Sequence, residues 1–213
     1  MAVKLLITIS LLLACNKSYS QRIDYIKMDK RIDRSLLMES NRIMRILKFP
    51  LRTTINRDGM LGLVVKRGSK YLDASFNNPF YDVLDQYDKN RVYQAPFILI
   101  TELCLDISTK ARDTTRLFYI RSRETIVHEL THYLQSTFDT KTVDAQKDFK
   151  GYVSNPTEFE AYSVGAYYFL ENYNKAELMR IMIKNITVEH KCQLLINAFF
   201  KVIYPNQTQM FTD

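Results

Sequence analysis

Residues 117–138 read LFYIRSRETIVHELTHYLQSTF, and His128-Glu129-Leu130-Thr131-His132 sits inside them, placing two histidines four residues apart. The segment predicts a helix that starts at Ser122 as cap, carries Glu124 in its first turn and runs to about Phe138. Leu117 to Ile120 is an uninterrupted apolar run and predicts a strand feeding into that helix. Helix residues four apart lie above one another on one face, so both imidazoles can reach a single metal ion. Thr125, His128, His132 and Gln135 share that face, while Val127, Leu130, Leu134 and Phe138 form an apolar face that can anchor the helix. Glu129 follows His128 directly, outside the ligand set but close enough to act on a metal-bound water. The chain has three histidines in all, and two of them occupy this pattern.

A catalytic zinc keeps three protein ligands and an open position, so one ligand remains to be found. Asn155-Pro156-Thr157-Glu158 reads as a helix start, with Asn155 as cap, Pro156 as first helical residue and Glu158 reaching back to the cap. Residues two apart on a helix do not share a face, so Glu158 and Glu160 cannot play the same part. With Glu158 explained by capping, Glu160 is the expected third ligand, because it lies deeper in the helix and small Ala161 beside it permits close approach. Glu158 is the alternative. His190 is the remaining histidine and would have to return from the last helix.

Outward from this core, residues 23–48 predict a helix that Pro50 ends. Leu61 to Val65 predicts a strand after the Asp58-Gly59 turn, Asn77-Asn78-Pro79 another turn, and residues 97–107 a further strand. Helices are expected from Asn155 to Tyr173, over 175–186 and over 189–203. The class is therefore α+β: a helix, a small mixed sheet, then mostly helices, forming one domain over residues 21–213. With 213 residues, 46% hydrophobic, the chain can bury a real core. The net charge of +7 comes from basic residues spread along the chain without nucleic-acid-binding spacing, so no specific nucleic-acid partner is expected. Cys104 and Cys192 form no Cys-x-x-Cys arrangement; they are either bridged or two buried thiols.

Residues 1–20 have the form of an export leader, with Lys4 ahead of an uncharged run from Leu5 to Asn16. Ser18 and Ser20 suit cleavage before Gln21, whereas Leu12-Leu13-Ala14-Cys15 resembles a bacterial lipobox that would lipidate Cys15. The expectation is an exported chain, secreted, periplasmic or lipid-anchored, with membrane contact only through Cys15 or an uncleaved leader. The alternative is a cytoplasmic protein that buries this segment.

The pairing of HELTH with a downstream EAYS segment resembles the gluzincin class of zinc metallopeptidases, and HELTHYLQ with PTEFEAY is similar to small HExxH proteins of bacteria and phages. ImmA/IrrE-like peptidases are a related comparison. The matched part spans about residues 117–165. The resemblance implies a zincin-like minimal domain and one zinc per chain on His128, His132 and Glu160. It also implies that Glu129 is the catalytic carboxylate in the hydrolysis of a peptide or protein substrate. Tyr152, Tyr162 and His190 are the candidates for stabilising the transition state. An extended peptide would pair with a sheet edge at 97–107 or 117–120. No third histidine follows at metzincin spacing, where Phe138 stands. A zinc-binding or protein-interaction module on a degenerate peptidase fold is the competing reading.

Overall fold

A computed structural model describes residues 23–26, 30–50, 62–67, 71–77, 97–109, 115–135 and 155–205. Its elements are β1 (Ile23–Ile26), α1 (Lys30–Ile46), β2 (Gly62–Lys66), β3 (Ala74–Asn77), β4 (Phe97–Thr101), α2 (Glu102–Thr109), α3 (Arg116–Gln135), α4 (Pro156–Tyr173), α5 (Lys175–Met182) and α6 (Val188–Ile203). The fold is α+β, and mostly helical. The strands form one mixed sheet in the order β1-β2-β4-β3, parallel between β2 and β4 and antiparallel at both flanks.

The register aligns Leu63 with Ile98 and Val65 with Ile100. All four are buried, as period-two alternation on a half-covered sheet requires. The expected strand over 97–107 stops at Thr101 and turns directly into α2. Thr101 makes that corner rigid: its hydroxyl donates to the carbonyl of Tyr71 at 2.7 Å and accepts from the Asp73 amide at 3.2 Å.

Residues 23–26 are a strand, so the helix expected over 23–48 begins at Lys30. It presents Leu36, Leu37, Ser40, Ile43, Met44 and Leu47 to the core. It closes in a Schellman arrangement, with Lys48 at φ 60 and the Phe49 amide bonded to the Met44 carbonyl at 2.9 Å. Pro50 follows immediately.

The largest departure is at 117–120. These residues form the first turns of α3, not a strand, and Ser122 lies inside the helix. A four-residue apolar run has no periodicity that separates strand from buried helix. Ser122 is fully buried. Its hydroxyl donates to the Tyr119 carbonyl at 2.9 Å, and its own carbonyl accepts from the Cys104 thiol. The helix is covered on most sides by α1, α2, α4 and β3, with its closest engagement along α4. That explains why twelve of its residues are buried and no single apolar stripe defines it.

Helices over 155–173, 175–186 and 189–203 are present as α4, α5 and α6 within a few residues at their ends. Cys104 and Cys192 are both free buried thiols. Residues 1–20, Asp58-Gly59, Asn78-Pro79 and Tyr152 lie outside the described residues.

Candidate metal centre

The site is assembled where the C-terminal half of α3 meets the first turn of α4. His128 and His132 lie one turn apart on α3, with their Nε2 atoms 3.1 Å apart and their rings edge-on at 4.8 Å. Glu158, the third residue of α4, completes the group: its Oε2 is 3.3 Å from each Nε2. These three residues are the set that could hold a metal ion among the described residues. A tetrahedral zinc with bonds of about 2.0–2.1 Å has ligand-to-ligand edges of about 3.3–3.4 Å. The observed triangle has that size. Glu158 Oε2 is buried and accepts no hydrogen bond of acceptable geometry, an arrangement that costs free energy unless a cation completes it.

The electrostatics agree. Burial pulls the His128 imidazole down to about 4, against the opposing pull of Glu158, so its Nε2 lone pair is available at neutral pH. Burial acts to raise Glu158, but the two imidazoles beside it outweigh that and hold the carboxyl far below its ordinary range. At His132 the carboxylates of Glu158 and Glu129 outweigh burial and draw a proton in. A cation held in the triangle would take over the role of that proton.

The carboxylate that joins the two histidines is Glu158, the alternative ligand, and not Glu160, the expected one. Glu158 faces the histidines, and Glu160 does not. Asn155 caps α4 by accepting from the Thr157 amide at 2.9 Å, and Pro156 opens the helix as expected. The Glu158 carboxylate is directed at α3 instead of back to the cap. Glu160, about 200° further round the helix, accepts a hydrogen bond from Gln135 Nε2 at 2.9 Å.

Gln135 links all of these parts. Its Oε1 lies 2.9 Å from His132 Nδ1, and its Nε2 donates to the Thr157 carbonyl, also at 2.9 Å. An amide oxygen can only accept, so Nδ1 carries the proton and Nε2 is left to bind metal. The sequence placed Gln135 on this face without giving it a task. Replacing Gln135 with Met is expected to weaken zinc binding by about 10–100-fold, measured by competition with a chromogenic chelator. Unchanged affinity would remove Gln135 from the site.

Glu129 is buried beside the triad, with Oε1 3.9 Å from His128 Nε2. Tyr162 sets its ring edge-on to His128 at 4.5 Å, and burial and the nearby carboxylates of Glu158 and Glu129 keep its hydroxyl protonated. Of the other candidates, His190 is exposed in the first turn of α6 and its amide is bonded to the Thr187 hydroxyl. It does not join the triad. No protein-family model matches the chain, and neither a curated protein nor a solved structure matches it.

Two residues that were not among the expected site residues, Glu124 and Arg121, sit on the same face of α3. Glu124, one turn before His128, is 1% exposed and paired with Arg121 Nη1. Their spacing of four and seven residues from His128 was the available signal. The Glu124 carboxylate lies against Gly165 of α4, where any Cβ would collide with its Oε1. Alanine in a helix interior normally gains about 1 kcal/mol over glycine. Here the overpacking cost of about 1–3 kcal/mol should prevail, so Gly165→Ala is expected to lower the thermal unfolding midpoint by several degrees. A raised midpoint would show that Glu124 can move aside freely.

Proposed function

We propose that this chain is a zinc-dependent peptidase of zincin type, with His128, His132 and Glu158 as zinc ligands and Glu129 as general base. The observation that carries the reading is a tetrahedron-sized triangle of lone pairs with a further buried carboxylate beside it. Two imidazoles and one carboxylate are a zinc donor set, and three protein ligands leave a fourth position for water. Zinc bound there would acidify that water and polarise the scissile carbonyl. Glu129 is positioned to take the water's proton and return it to the departing amine. Tyr162, whose ring meets His128 edge-on and whose hydroxyl stays protonated, is the proposed donor to the developing oxyanion.

The sheet edges suggested for peptide pairing need revision. β4 is paired on both sides, and residues 117–120 are helical. β3 is the outer strand next to α3, so it is the edge along which an extended substrate would lie.

A closed zinc site without catalysis would need a fourth protein ligand, and three converge among the described residues. The structure has no described helix long and apolar enough to cross a membrane, and export through residues 1–20 remains part of the proposal. The deciding assay mixes the zinc-loaded chain with a peptide library and follows new termini. Cleavage that disappears in a Glu129→Gln variant supports the reading, and a zinc-loaded chain that cuts nothing counts against it.

A further inference from the structure

We propose that Arg121 is the group that recognises a substrate carboxylate, so that the preferred peptides carry an acidic side chain or a free C-terminus near the scissile bond. The proposal rests on the peptidase reading above and adds the class of substrate. Arg121 lies seven residues before His128, two helical turns along the same face of α3.

Its guanidinium is held on several sides. Glu124 pairs with Nη1. The Phe199 ring lies beneath the guanidinium carbon at 5.1 Å. A row of rings connects this end to the metal centre: Phe199 meets Phe200 at 5.1 Å, Phe200 meets Tyr162 at 5.6 Å, and Tyr162 meets His128 at 4.5 Å.

Exposure differs sharply within the pair. The Glu124 side chain is 1% exposed, whereas that of Arg121 is 23% exposed. A purely structural pair gains little from such burial, since apolar residues of the same volume usually serve stability as well or better. The arrangement instead fixes a cation whose planar fork, with five N–H groups, matches a carboxylate. Glu124 and the Phe199 ring hold it in place. Glu124 also keeps the site neutral overall when no carboxylate is present.

The test uses the full chain, zinc-loaded, carrying Glu129→Gln so that binding is read without turnover. Two pairs of fluorescent peptides are titrated by anisotropy. One pair differs by Glu against Gln inside a blocked peptide, and the other by a free against an amidated C-terminus. In this background, tighter binding of the acid by about 10–100-fold is expected for one pair, and the pair that responds identifies the source of the carboxylate. Adding Arg121→Gln together with Glu124→Gln, which leaves no buried charge unpaired, should reduce the ratio to about one. Adding Glu124→Gln alone should raise it, because the competing carboxylate is gone. The inference is overturned by equal binding of both members in both pairs, by a ratio that survives the double change, or by a ratio that Glu124→Gln leaves unmoved. Absence of cleavage by the parent chain, with the acid preference intact, would instead overturn the peptidase reading alone.

Discussion

A Glu158→Ala variant is expected to lose zinc that a Glu160→Ala variant keeps. Both carboxylates belong to the start of α4, and they differ in what they face. Glu158 Oε2 stands 3.3 Å from both histidine Nε2 atoms, and Glu160 meets the Gln135 amide. Structural zinc sites with four ligands bind with about 10–16 kcal/mol, so one ligand accounts for about 3–4 kcal/mol, or a loss of about 10²–10³-fold. Removing Glu160 frees one hydrogen of Gln135, whose other bond to the Thr157 carbonyl remains. The expected cost there is about tenfold at most. Zinc per chain after dialysis, measured by atomic absorption, separates the two. Equal retention in both variants would mean that the triangle is not the ligand set, and loss in Glu160→Ala alone would restore the assignment first drawn from the sequence.

The second large effect concerns Glu129. Changing it to Gln preserves shape and removes the base. Proton transfer by a positioned carboxylate contributes about 10²–10⁴-fold to rate, so turnover of any cleaved peptide is expected to fall by that amount. Zinc content should hold at one per chain, because Glu129 stands outside the ligand triangle, 3.9 Å from His128 Nε2. The paired readout matters. Lost turnover with lost zinc would make Glu129 a ligand, and full turnover with zinc in place would end the proposed mechanism.

Much of this was legible in the sequence where local rules act alone. The histidine spacing, the Asn155-Pro156 helix start, the class of the fold and the three C-terminal helices follow from periodicity and capping. What was not legible depended on tertiary packing. Glu158 was assigned to its own helix cap because that partner is local, whereas its observed partners lie on another helix. The run from Leu117 to Ile120 has a strand's composition, and it is helical because α3 is enclosed on most sides. Glu102 begins a helix in the middle of an apolar stretch because Thr101 turns the chain at the end of a strand. Arg121 and Glu124 resemble ordinary surface charges until Gly165 is seen to admit the carboxylate.

The meeting of two helix termini has a consequence for the charge balance of the site. His132 is in the last turn of α3 and Glu158 in the first turn of α4. Unpaired carbonyls give a helix C-terminus about half a negative charge, and unpaired amides give an N-terminus about half a positive one. The end of α3 thus favours a cation, and the start of α4 favours an ionised carboxylate. The backbone would supply part of the field that a bound dication and its anionic ligand require, in keeping with a single carboxylate in the proposed ligand set. The same field depends on both end turns staying wound, which ties the affinity of the centre to the integrity of two helix ends as much as to the three side chains that meet there.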